Sequence, residues 1–152
     1  IDVGGGSTEV IIFKNSQIFK LKSFKIGCVR LLDDSVNNKT WSKFEYWLTE
    51  NAKELKKLKI VGIGGNINKI FKISGTKYSK PLGKKSFLKT LKKIESMSIN
   101  ERLTVLKLNP DRADVIVPAG KIYYFILKTL KVKDIYVPKI GLADGMVNEL
   151  IK

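Results

Sequence analysis

At 152 residues, with one cysteine (Cys28) and no histidine, the chain has the length of one domain and lacks the side chains of several chemistries. A disulfide framework, a Cys/His zinc site and a His-activated nucleophile are excluded, leaving carboxylates, hydroxyls, lysines, backbone amides and a hard cation. The net charge of +15 attracts phosphates of any kind without choosing among them, and the lysines that carry it are scattered over solvated faces in the manner of a compositional bias.

In chain order, Ile1-Asp2-Val3 reads as a strand end, followed by a turn of bare backbone at Gly4, Gly5 and Gly6. Residues 10–13 and 18–26 are β-branched and aromatic and read as a hairpin closed by the polar residues 14–17. From Thr40 the apolar spacing changes to three and four (Trp41, Phe44, Leu48, Ala52, Leu55), which predicts a helix capped by Thr40 or Ser42. Residues 59–66 form a short apolar strand ending in glycines, and residues 67–73 a helix. A loop over 74–85 leads to helices near 86–96 and 99–107. Residues 110–130 are apolar nearly all round and predict one long buried helix, kinked at Pro118. A strand at 134–138 and a helix at 141–151 close a single α/β layer domain. No apolar run reaches the ~20 residues of a membrane span and no signal peptide opens the chain, so a cytoplasmic, soluble fragment of a longer protein is expected.

The opening stretch "DVGGGSTEV" combines glycine amides able to nest an anion with the hydroxyls of Ser7 and Thr8 and the acids Asp2 and Glu9. Carboxylates repel phosphate unless a hard cation such as Mg²⁺ stands between them, so the grouping is what a metal-phosphate site needs. It is not a Walker loop, because no Gly-Lys-Ser/Thr follows and the next element is a strand. Gly64 and Gly65 stand between a strand and a helix start, where either ligand contact or close packing accounts for them.

"DVGGGSTEV", "VGIGGNINKI", "RLTVLKLNPDRADVIVPAG" and "GLADGMV", in this order, resemble the C-terminal lobe of the catalytic core of the exopolyphosphatase and guanosine pentaphosphate phosphohydrolase family. That family belongs to the superfamily of sugar kinases, actin and heat-shock chaperone ATPases, built from two ribonuclease-H-like lobes around a cleft. The resemblance implies an α/β, ribonuclease-H-like (actin-like ATPase) lobe, with a mixed sheet, an antiparallel hairpin and flanking helices. Residues 1–152 would be the second lobe, the first lying outside this chain together with the expected general base. The implied activity is metal-dependent release of terminal orthophosphate from inorganic polyphosphate or guanosine pentaphosphate, with this chain alone holding half a cleft and turning over little or nothing.

By the same resemblance Asp2 and Glu9 are the catalytic pair. Asp2 would hold Mg²⁺ or another divalent cation through water, and Glu9 would position the metal or the attacking water. Gly4, Gly5, Gly6 and Ser7 would bind phosphate, with Gly64 and Gly65 along the cleft where the distal chain or nucleoside lies. Arg112 and Asp114 are read as a structural ion pair, and Arg30 as a surface residue with the anion as its alternative partner. Asn66 stands where a hydroxyl residue is usual, and Ala143 where an arginine is common. The implied partners are the phosphate substrate, the absent lobe and a possible second copy of the chain. An ATP-dependent kinase of the same superfamily is the competing enzyme class. A basic polyanion-binding module is the non-enzymatic alternative, but the aromatics sit with Leu and Ile rather than among the lysines, so nucleic acid is not expected.

Overall fold

The computed structural model describes residues 1–53, 55 and 57–138. Strands β1 (Asp2–Val3), β2 (Thr8–Lys14) and β3 (Gln17–Phe24) form an antiparallel sheet in that order. Asn15 and Ser16 join β2 to β3 with φ of 53° and 62°, and two left-handed residues in succession match the twist of a tight hairpin. Thr8, Val10 and Phe24 are buried while Glu9, Ile11 and Leu21 lie on the opposite face. This alternation is the period of two that the sequence displays.

Residues 60–63 form the middle of the sheet through single bridges rather than a full strand. Asp2 pairs with Ile63 and Val61 with Tyr136, both parallel. The Ile63 amide donates to the Ile1 carbonyl at 2.9 Å, and the Gly62 amide to the Tyr136 carbonyl at 2.8 Å. β5 (Asp134–Ile135) then pairs antiparallel with β4 (Leu82–Gly83), a short strand inside the region expected to be loop. Parallel bridges between antiparallel pairs make the sheet mixed, as expected.

Seven helices occur among the described residues. α1 (Cys28–Leu32) and α2 (Asn38–Ala52) follow the hairpin. The cap of α2 is Asn37, whose side chain accepts from the Thr40 amide at 2.9 Å; Ser42 instead donates to the Asn38 carbonyl. The helix therefore starts upstream of the expected Thr40 or Ser42, because Asn37 offers the acceptor that the first-turn amides need. α3 (Gly65–Ile73), α4 (Lys84–Glu95) and α5 (Ile99–Thr104) follow, α5 opening on a capping box in which Ser98 and Glu101 bond each other's backbone amide.

The long helix expected over 110–130 is two helices, α6 (Pro110–Ala113) and α7 (Ile116–Thr129). A proline has no N–H and clashes with the carbonyl four residues back, so the effect of Pro118 falls at Asp114, where the chain breaks. Pro118 itself stands in the first turn of α7, where no amide bond is lost. α7 is the centre of the core. Its Ile116, Ala119, Ile122 and Ile126 are fully buried, and α1, α2, α3 and α4 all pack on it. The Tyr123 hydroxyl donates to the Ile63 carbonyl at 2.7 Å, fixing α7 to the middle of the sheet. The helix expected over 141–151 lies outside the described residues, among which no helix is long and apolar enough to cross a membrane.

Candidate active site

The glycine turn is held by α1 (Cys28–Leu32). The Gly4 carbonyl accepts from the Cys28 amide at 2.9 Å, the Gly5 carbonyl from the amides of Val29 and Arg30 at 3.0 and 3.3 Å, and the Gly6 carbonyl from Arg30 Nε at 2.7 Å. A trans peptide points its N–H opposite to its C=O, so the amides of Gly5, Gly6 and Ser7 face away from α1. No described residue accepts a bond from them. The arrangement satisfies the first-turn amides of α1, which has no side-chain cap, and leaves a nest of outward donors. Arg30 is thus not a plain surface residue: its Nε clamps the turn, and its two Nη groups have no hydrogen-bond partner among the described residues.

Gly27, which was not among the expected site residues, is as necessary as the triplet. A Cβ on it would lie 2.1 Å from the Gly5 oxygen and 2.4 Å from the Gly5 carbonyl carbon. Its signal in the sequence is a glycine directly before the first turn of a helix, whose meaning depends on a contact 22 residues distant. At Gly6, by contrast, a Cβ would meet nothing within 4 Å, so that side of the turn is open.

Asp2 and Glu9 are paired residues of β1 and β2 and so share one sheet face. Glu9 Oε1 accepts from Ser7 Oγ at 2.5 Å and from Ser23 Oγ at 2.7 Å. The Ser7 hydroxyl therefore donates to Glu9, and the amide is the donor that Ser7 leaves open. Burial, and then the charge of Glu9, push the Asp2 carboxyl above its ordinary range. The all-oxygen pair fits a hard cation, whose charge relieves this repulsion. Among the described residues no three metal-ligating side chains come together, so a cation here would keep most of its ligands as water or phosphate oxygen.

The opposite wall is the start of α3 (Gly65–Ile73) and α6 (Pro110–Ala113). Gly64 has φ of 105°, and a Cβ there would stand 2.8 Å from Asp2 Oδ1. A Cβ on Gly65 would stand 2.6 Å from Arg112 Nη2. These glycines admit Asp2 and Arg112 to the cleft wall, and α3 carries no side-chain cap on its first amides. Between the walls is a cleft of about 250 Å³ lined by Gly4, Gly5, Cys28, Asn66, Asp111 and Arg112, among others. Asn66 Oδ1 is buried with no hydrogen-bond partner among the described residues.

The expected Arg112–Asp114 ion pair does not form. The ion pairs among the described residues are Lys53–Glu50 and Lys121–Glu95, and Asp114 lines a separate cleft beside Lys121 and Glu95. Residues two apart on a helix point to different sides, which separates the two charges. Among the described residues no carboxylate forms an ion pair with Arg112, which lies at the rim of the glycine cleft. Ala143 lies outside the described residues.

Solved structures similar to this chain include the PPX-GPPA enzyme of Aquifex aeolicus, at 24% identity and a TM-score of 0.75 over 97% of this chain and 55% of that one. An exopolyphosphatase from Cytophaga hutchinsonii matches at 21% identity and a TM-score of 0.76 over 99% of this chain and 55% of its own. The chain spans little more than half the length of these structures, which share its fold. The family model of the Ppx/GppA phosphatases matches residues 1–152 from end to end, and the chain belongs to the Ppx/GppA phosphatase family.

Proposed function

We propose that this chain forms one wall of the cleft of a phosphoanhydride hydrolase that removes terminal orthophosphate from inorganic polyphosphate or guanosine pentaphosphate. The observation that carries this reading is the set of amides of Gly5, Gly6 and Ser7 turned away from α1 at the edge of the cleft, whose other rim holds Arg112, free of ion pairs among the described residues. Phosphoryl transfer depends on positioning and on neutralising charge at the phosphate oxygens, and free amides and a guanidinium are groups that do both. Asp2 and Glu9 would hold Mg²⁺ through water. Bound there, the cation would supply charge neutralisation at the phosphate and a more acidic water. Glu9, fixed by two hydroxyls, is placed to orient that water; Ser7 both fixes Glu9 and presents its amide to the anion.

The test is titration of short-chain polyphosphate into this chain with Mg²⁺ at two salt concentrations, comparing wild type with Gly5→Val. A Cβ on Gly5 would already lie 3.2 Å from Val29 Cγ2, so valine displaces the turn or fills its mouth. Weaker binding by the variant, with wild-type affinity partly surviving salt, supports the reading. Equal binding that salt abolishes would reduce the attraction to diffuse lysine charge. With the other lobe of the core absent, orthophosphate release by this chain alone should be negligible; robust release overturns the half-site reading.

A further inference from the structure

Next to the Arg112 rim of the cleft runs the open side of α3. α3 buries Ile67, Ile70 and Phe71, while Lys69 and Lys72 stand on its open side, at helical spacing from the Gly65 on which Arg112 packs. Lys69 Nζ donates to the Lys107 carbonyl at 3.1 Å, which holds its ammonium in place and leaves two of its three donors for another partner. Burial first, and then the charges of Lys72 and Arg112, push the Lys69 ammonium below its ordinary range, so the three cations share one local field. No ion pair with a carboxylate relieves any of them among the described residues. From Gly65, Lys69 is ~6 Å and Lys72 ~10 Å along the helix axis, the reach of several linked phosphates rather than one.

We propose that Arg112, Lys69 and Lys72 form a basic row that continues the cleft and binds the phosphates distal to the reacting end, so that the site reads chain length in a linear polyphosphate. The inference rests on the glycine turn being the terminal-phosphate site. A row of point charges suits a flexible chain with a charge at every unit. It suits a compact dianion less, because only the end nearest Arg112 would be engaged.

The experiment compares binding of pyrophosphate and long-chain polyphosphate by wild type, Lys69→Gln/Lys72→Gln and the control pair Lys85→Gln/Lys89→Gln. The control removes the same charge from exposed positions on α4. The row predicts that the first pair weakens long-chain binding about five- to ten-fold while pyrophosphate binding is unchanged, and that the control pair changes neither. Lys72→Gln alone, on an exposed side chain, should give about half of that effect on a logarithmic scale and serves if the double variant folds poorly. Equal weakening by both pairs, or equal weakening toward both ligands, overturns the row while leaving the turn intact. If Gly5→Val leaves pyrophosphate binding unchanged, the reading of the turn fails instead, and the row's role as its extension fails with it.

Discussion

The two glycine-rich stretches look alike in sequence and differ in what they are for. In residues 4–6 no glycine has a left-handed φ, and a Cβ on Gly6 would touch nothing. Their bareness opens onto the space outside the protein, toward which the bonds from α1 turn the amides. In residues 62–65 the empty positions are filled from within. A Cβ on Gly62 would lie 2.8 Å from Ile135 Cδ1 and 3.2 Å from Tyr123 Cε1, Gly64 is left-handed against Asp2, and Gly65 lies under Arg112. One stretch turns backbone donors outward, where the proposed phosphate site lies, and the other lets sheet, helix and two charged side chains approach one another. Glycines can thus mark a site from either side, and only the neighbours say which.

Two substitutions test this contrast where it is strongest. Gly27→Ala should be the most damaging, since its methyl collides with the backbone of the turn and not with a movable side chain. Unfolding in denaturant should show a loss of ~3 kcal/mol, and phosphate binding should disappear even under conditions where the variant is folded. Retained affinity in a folded Gly27→Ala protein would mean that the position of the turn does not matter. Gly62→Ala is next, with an expected loss of ~2 kcal/mol, because Ile135, Ile67 and Tyr123 must move aside. Its phosphate affinity should match wild type, and a variant of normal stability with impaired binding would reverse the division drawn between the two stretches.

What the sequence shows and what it hides divide along the distance over which information must travel. The hairpin is legible because alternation in residues 8–14 and 17–24 is a local property, as is the helical spacing of Trp41, Phe44 and Leu48. The cap of α2 is not legible because Asn37, Thr40 and Ser42 stand close together with suitable side chains, and only the realised bond from the Thr40 amide chooses Asn37. The sequence shows Pro118 as a disruption, but its clash acts four residues earlier, at the break before α7. In the site, Asp2, the glycine triplet and Glu9 are contiguous and could be named. Gly27 could not, and Arg30 could be named only without its hold on the Gly6 carbonyl, since both roles exist only once α1 folds back on the turn. Arg112 was assigned to its neighbour in sequence, Asp114, when the fold turns it toward a glycine 47 residues before it.

The finer form of the contrast lies inside the turn. Gly6→Ala adds a methyl that meets no protein atom and requires no left-handed backbone, so stability should hold or rise by ~0.5 kcal/mol through the stiffer unfolded chain. Polyphosphate affinity should nevertheless fall about ten-fold, the effect of weakening one charge-assisted bond to the anion. Stability and binding then move in opposite directions, which no packing role for Gly6 would produce.

Ser23→Ala is the smallest change and the most specific. Ser23 Oγ reaches Glu9 Oε1 from the neighbouring strand at an exposed position, while Ser7 Oγ holds the same oxygen from the turn. Losing one of two donors should leave the fold intact and alter Mg²⁺-dependent polyphosphate binding about two-fold. Losing both, in Ser7→Ala/Ser23→Ala, should exceed the product of the single effects, because the carboxylate is then held by neither strand nor turn. Strict additivity, measured by titration with and without Mg²⁺, would show that Glu9 needs no positioning. Coupling present only with Mg²⁺ would tie the two hydroxyls to the cation-facing role of Glu9, which the β1–β2 register alone leaves open.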